Sequence, residues 1–441
     1  MTKSTPSNAY DAIIVGAGII GAGIAFGVAK AGRKVLVVDK NPAAGYGSTS
    51  SSSAIIRTFY STRDGCALAW EGLHVWRDWK NFLGPTQIEP LATYVECPAL
   101  VLQNGAPDGL DAACRHLGDL GVPWEFWDAQ KLAIQFSSLD PRSFAPPRQG
   151  DHEKFGTPNG GTLTGALYFP DGGYVTDPQL AARNLQLAAE AEGAVFRFNA
   201  RVTGIATQDG RVAGIALDDD GEHINAPIVV NAAGPYSREL NQLAGVTDGM
   251  NIRTRALRQE VCHLPRPANL APHRPNFVMI DADVGSYFRT ERDDALFVGG
   301  TEPECEPLIW VDDPDTLDRN PSPAWQNQAM RQALRLPDLP IPGQAKGVVD
   351  MYDVSDDWIP IYDKSDLGGF YMAIGTSGNQ FKNGPIAGQL MAGLITYCEE
   401  GHDHDGVPYR FPMPYTGLEL DAGAFSRRRQ TTADSTFSVL G

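Results

Sequence analysis

Residues 12–39 run Ala-Ile-Ile-Val, then Gly-Ala-Gly-Ile-Ile-Gly, then an alanine-rich stretch, then Lys-Val-Leu-Val-Val-Asp. The apolar run 12–15 suits a strand buried on both faces, as in a parallel sheet. Residues 19–31 predict a helix that Gly32 closes, glycine being best able to take a left-handed cap. Residues 34–38 predict the next strand, with Asp39 at its carboxyl end. In this order Gly16 permits a tight turn, Gly18 lets the backbone approach a pyrophosphate, and Gly21 lets helix and sheet pack closely. The helix start, at Ile19 and Ile20, offers N–H groups and a favourable dipole to phosphates. Asp39 stands 18 residues after Gly21, where a carboxylate accepts ribose hydroxyls and disfavours a 2′-phosphate. The pattern is that of a Rossmann unit binding a dinucleotide other than NADP. By itself it does not separate FAD from NAD.

The rest of the chain alternates in character. Residues 180–192 have helical periodicity, and 195–206, 212–217 and 228–230 predict three strands of a β-meander, with turns at Asp209-Gly210 and Asp220-Gly221. Residues 370–374 predict a strand, followed by a glycine-rich loop and a helix from Pro385 to about Tyr397, proline suiting the first helical position. Two proline- and aromatic-rich stretches, 85–170 and 240–345, read as a second domain inserted twice, with strand-like pieces at 286–288 and 295–298. The expected division is thus 10–84, 171–239 and 346–400 for the nucleotide-binding domain, 85–170 and 240–345 for the substrate domain, and 401–441 as a C-terminal extension. The fold class is α/β: a parallel sheet with helices and a meander, plus an α+β domain with a mainly antiparallel sheet. The first nine and last dozen residues read as frayed.

A net charge of −17 argues against nucleic acid as a partner. Arg427-Arg428-Arg429 reads as a solvated tail rather than a binding site. No apolar run approaches the ~18–20 residues of a membrane span, and the first ten residues lack a signal-peptide core. The six cysteines are scattered without a metal or redox spacing, which fits a cytoplasmic protein with reduced thiols. The histidines show no ligand pattern either; His402-Asp403-His404 reads as a loop, and no metal is expected.

Three further segments carry a likeness: Gly47-Ser48-Thr49-Ser50-Ser51-Ser52-Ser53-Ala54-Ile55-Ile56-Arg57, Val229-Val230-Asn231-Ala232-Ala233-Gly234, and Gly375-Thr376-Ser377-Gly378-Asn379-Gln380-Phe381-Lys382-Asn383-Gly384-Pro385. With the Rossmann unit, and in that order, they resemble the FAD-dependent D-amino-acid oxidase superfamily, especially its sarcosine oxidase and dimethylglycine oxidase branch. The resemblance implies FAD. It places Ser48, Thr49, Ser50, Ser53, Ala54 and Ile55 around the pyrophosphate and ribityl chain. Lys40, Val202, Ala232, Ala233 and Gly234 would lie beside the dinucleotide. Gly378, Asn379, Gln380, Phe381 and Lys382 would lie along the flavin's pyrimidine edge, with the following helix start aimed at it.

On the substrate side the resemblance implies Arg57 and Lys382 as carboxylate ligands, chemistry that a guanidinium and an ammonium suit; Arg57 would equally neutralise the FAD pyrophosphate. Tyr287 falls on the strand facing the flavin, where it either closes the site or is an ordinary half-buried strand residue. His263 reads as structural, and no catalytic base is assigned. Two departures matter. Phe297 stands where monomeric sarcosine oxidase carries an oxygen-activating lysine, so oxygen and another electron acceptor both remain open. The family's flavin-linking cysteine has no counterpart in 348–352, nor is there a histidine in the serine loop, so FAD is expected to be non-covalent. The implied reaction is oxidation of the C–N bond of a small amino acid or N-alkyl amino acid, by hydride transfer to flavin N5, giving an imine. An FAD-dependent 2-hydroxy acid dehydrogenase, and the flavin subunit of a hetero-oligomeric oxidase, are the alternatives; the chain is compatible with a homo- or hetero-oligomer.

Overall fold

The computed structural model describes residues 10–85, 88–106, 109–218, 221–271, 273, 276–291, 294–432 and 435–440. The first nine residues and Asp220, for which fraying and a turn were expected, lie outside them. The runs Ala12–Val15, Val35–Val38, Val229–Asn231 and Phe370–Ile374 are buried at every position. They form the centre of a six-stranded sheet in the order 361–364, 370–374, 229–231, 12–15, 35–38, 195–197. All its pairs are parallel except 361–364 with 370–374. Strands without hydrophobic alternation need cover on both faces. One face receives the helices Ile19–Lys30, Pro178–Ala191 and Gly384–Glu399, which share a single core with it. The first and last of these meet backbone to backbone: a Cβ on Gly23 or Gly27 would collide with the carbonyls of Gly384 or Gly388.

The other face meets a three-stranded meander, Val202–Gln208, Arg211–Leu217 and His223–Asn225. Two strand expectations are corrected here. The run 195–206 is broken by Asn199, held at φ +55°, so Val195–Arg197 joins the parallel sheet and Val202–Gln208 opens the meander. The meander's third strand is His223–Asn225, and Val229–Asn231 pairs with Ala12–Val15 instead. The turn at Asp209-Gly210 has both residues at positive φ, as a two-residue hairpin requires.

A second sheet of nine strands among the described residues is antiparallel except where Val278–Asp281 runs beside Ala99–Gln103. Its long strand Thr254–Pro265 pairs with Gly347–Ser355, a segment that the sequence grouped with the nucleotide-binding unit. Helix Pro323–Arg335 packs against this sheet through Trp325 and Ala329. A small sheet of Ile55–Ile56, Gly173–Val175 and Tyr94–Glu96 leads the chain out of the serine loop to the second sheet. No helix among the described residues is long and apolar enough to cross a membrane.

The segment after 400 is not a solvated tail. Phe411, Met413, Leu420 and Phe425 enter the first core, and Glu71 accepts the N–H groups of Tyr415 and Thr416 at 2.8 and 2.9 Å. Arg427 is buried against Asp363 and Asp405, and Arg429 binds Asp357 at 2.7 Å. Four acidic side chains, Asp357, Asp363, Asp366 and Asp405, anchor this arginine run, which explains its departure from the expected solvated end. His404 lies in a loop but is buried beside Asp363, with Nε2 3.4 Å from Oδ1.

Candidate active site

The strands ending at Val15 and Asn231 converge on Gly16. Its φ of +109° is open to glycine, and a Cβ would strike the Ala232 carbonyl. A Cβ on Gly21 would strike the Gly16 carbonyl, so this glycine seats the helix on the turn. The helix start has no side-chain cap from its own N-cap residue; Ile19 N–H donates instead to Thr49 Oγ1 at 3.1 Å. Asp39 accepts the N–H groups of Ala17 and Asn41, each at 2.7 Å. Burial pushes its carboxyl up, while these donors oppose the shift. Carboxylate oxygens keep lone pairs for further donors. Lys40 borders the same space, but its ammonium is paired with Asp315 and lies 3.6 Å from the Tyr236 ring centre.

From this turn a cavity of about 670 Å³ extends towards the second sheet. Of the residues assigned to the cofactor, Gly16, Gly18, Ile19, Ile20, Asp39, Lys40, Ser48–Ser50, Ser53–Ile55, Val202, Ala232–Gly234 and Gly378–Lys382 line it; Gly21 does not. The serine loop and the Gly378 loop thus face one space, although 330 residues separate Ser48 from Gly378. The cavity fits a dinucleotide on two structural grounds. The glycine cradle leaves no room for a side chain against Ala232, and Ser48 Oγ is buried with no hydrogen-bond partner among the described residues.

At the far end Arg57 is buried, 6% exposed. It donates to the carbonyls of Phe59 and Val439, the latter at 2.8 Å, and stacks 4.0 Å from the Tyr60 ring centre. Burial pulls its guanidinium down to about 9, which leaves it charged at neutral pH. Lys382 is 1% exposed; its Nζ donates to Asn379 O at 2.7 Å and meets the Tyr60 hydroxyl. Burial, and then the Arg57 charge, hold this ammonium well below the usual lysine range. Among the described residues neither cation pairs with a carboxylate.

Tyr287 lies across Gly299, where a Cβ would enter its ring, and its hydroxyl is 3.3 Å from Ser53 Oγ. Phe297 does not border the cavity; it stacks on His263 at 4.0 Å with Arg289 4.4 Å from its ring centre. Burial holds His263 below its usual range.

Sequence reasoning missed Tyr60, Tyr352, Glu302 and Val439. Tyr352 covers Gly378 so closely that a Cβ there would enter its ring. Glycine in a loop beside an aromatic strand was the only available signal. The 435–440 segment, expected to fray, instead carries Val439 and Leu440 into the cavity wall, because Glu302 and Arg57 bond its backbone and the second core takes its side chains.

The sequence matches the family described as DAO, FAD dependent oxidoreductase, over residues 11–394. It is 24% identical to glycine oxidase of Geobacillus kaustophilus, covering 89% of this chain and 95% of that protein. It is 22% identical to a formaldehyde-forming 4-methylaminobutanoate oxidase of Paenarthrobacter nicotinovorans, covering 90% of this chain and 44% of that longer protein. Among solved structures, the L-proline dehydrogenase of P. horikoshii superposes with a TM-score of 0.72 at 19% identity, over 95% of this chain and 97% of the other. The Geobacillus kaustophilus glycine oxidase structure superposes with a TM-score of 0.70 at 22% identity, over 97% of this chain and all of the other.

Proposed function

The chain belongs to the DAO family of FAD-dependent oxidoreductases, and from that membership we propose that it oxidises the C–N bond of a small amino acid or N-alkyl amino acid. One observation carries the reading: two buried cations, Arg57 and Lys382, flank Tyr60 at one end of the cavity without a carboxylate partner among the described residues. A buried charge left unpaired is costly, and a substrate carboxylate is the anion that completes this pair.

When bound, FAD supplies a two-electron acceptor for the hydride leaving the carbon next to nitrogen. The chain's own residues would bind and orient. Gly16, Ser48 and the first helix start would take the pyrophosphate, Asp39 a ribose, and the Gly378–Phe381 loop the flavin edge. Arg57, whose planar fork suits a carboxylate, would fix the substrate. Lys382, whose ammonium burial holds well below the usual lysine range, would add a second hydrogen-bond donor beside it. Tyr287 would close the space over the reacting carbon. The cavity lining described contains neither cysteine nor histidine, which supports FAD held without a covalent link. The parallel sheet and the nine-stranded sheet would be the cores of the nucleotide and substrate domains, with the segment after 400 as an extension of the first. A cytoplasmic setting suits six cysteines that form no disulfide among the described residues.

The test is an anaerobic screen of the purified flavoprotein, followed by reoxidation with oxygen and with an artificial dye. Bleaching of the visible spectrum by amines or amino acids is expected. Bleaching only by 2-hydroxy acids would move the substrate class, and no bleaching by either would sink the oxidation reading. The reoxidation step assigns the electron acceptor.

A further inference from the structure

Residue 439 is bound as an amino acid would be. Its N–H donates to Glu302 Oε2 at 2.8 Å and its carbonyl accepts from Arg57 at 2.8 Å. Nitrogen and carbonyl oxygen flank one Cα, as amine and carboxylate do in an α-amino acid. Glu302 does not border the cavity, whereas Val439 and Leu440 do, so the segment lies between the carboxyl and the open space. We propose that Glu302 receives the substrate's amino group while Arg57 takes its carboxylate, and that Val439 occupies both groups until an α-amino acid displaces it. The proposal deepens, and rests on, the amino-acid reading above.

Three observations support it. Glu302 sits at φ +52°, a conformation costly for an L-residue and the kind that persists at functional positions. Its other oxygen is fixed by Gln259 Nε2 at 3.0 Å, and Gln259 borders the cavity. Burial, with a smaller contribution from Glu306, pushes the carboxyl up to about 8 against the donors Val439 and Gln259. A carboxylate in that setting binds a proton more tightly than an exposed one and is a strong hydrogen-bond acceptor for an ammonium. The spacing also selects among substrates: an amino acid with nitrogen three carbons from the carboxylate does not match two groups that now hold a single residue's N–H and C=O.

The test compares each amino acid with the carboxylate lacking its amine, glycine with acetate and alanine with propionate, in the holoenzyme and in E302Q. Affinities are read from flavin spectral perturbation and from the concentration dependence of anaerobic reduction. Expected is a loss of about tenfold or more in amino-acid affinity in E302Q, the scale of one charge-assisted hydrogen bond, with carboxylate affinity unchanged. Equal loss for both ligands, or no loss, overturns the assignment. Hydrogen exchange at the Val439 amide of the native protein needs no substitution: saturating amino acid should accelerate it at least tenfold, and unchanged protection overturns displacement of the segment. Native protein that no amino acid bleaches overturns the functional reading instead. Bleaching together with unaltered discrimination in E302Q overturns only the role of Glu302.

Discussion

Arg427 and Asp363 form a 3.0 Å ion pair in which both side chains are shut off from solvent. Asp405 completes the contact at 2.9 Å, and the three charges tie the segment after 400 to the strand Ile361–Lys364. Removing one partner of a buried pair strands the other. Arg427→Ala should therefore destabilise the protein by about 3–5 kcal/mol. A clear fall in Tm, with the flavin spectrum intact at low temperature, is the expected result; an unchanged Tm would show that the cluster contributes little.

Gly16→Ala should abolish flavin binding, since the new methyl collides with the Ala232 carbonyl and the backbone sits at φ +109°. The ratio of flavin to protein absorbance after purification should fall by about tenfold or more. Gly32→Ala is the control: its φ is also positive, at +86°, yet nothing lies within 4 Å of the added Cβ, so flavin content should hold. Equal retention of flavin in both variants would contradict the cradle.

Arg57→Ala should weaken small carboxylates by roughly 10–100-fold, the scale of a lost charged hydrogen bond. Arg57→Lys should recover only part, because an ammonium lacks the bidentate fork. Titration of the flavin spectrum with acetate or propionate measures this. Unchanged affinity in Arg57→Ala would return the arginine to a structural role.

Asp353 accepts the Gly375 N–H at 2.6 Å and is buried; burial raises its carboxyl from 3.8 to about 7. Between those values the native carboxyl keeps a proton that the unfolded chain has lost. Its contribution to stability therefore falls as pH rises through that window, by up to about 1.4 kcal/mol per unit. Asp353→Asn keeps the acceptor and removes the titration. The difference in Tm between pH 5 and pH 8 should thus become less favourable to pH 5 in the variant, and an identical difference would exclude Asp353 as its source.

The nucleotide end was legible because its causes are local: Gly16, Gly21 and Asp39 act within 30 residues and by backbone sterics. The parallel strands were legible for a similar reason, being apolar at every position. The strand 195–206 misled because hydrophobicity continues across Asn199, where the chain turns through a left-handed residue. Arg427 misled because the sign of its surroundings is set by Asp363, 64 residues upstream. Tyr60, Glu302 and Val439 carry no motif; each acquires its meaning only from distant partners, Val439 lying 382 residues from Arg57.

The sheet that opens with Ala12–Val15 is completed only by Ile361–Lys364 and Phe370–Ile374, and the helix Ile19–Lys30 waits for Gly384–Glu399. During synthesis, valine-rich strands and an almost wholly apolar helix emerge long before their neighbours exist. Contacts of such sequence separation form slowly, and unpaired strand edges are prone to aggregate. The glycine-to-glycine helix contact sharpens the demand, because it tolerates no partly docked substitute. For a nascent copy of this chain the hazard therefore lies in the delay before the strands Ile361–Lys364 and Phe370–Ile374 and the helix Gly384–Glu399 arrive, and shielding by a chaperone over that interval should govern its yield more than the stability of the finished fold.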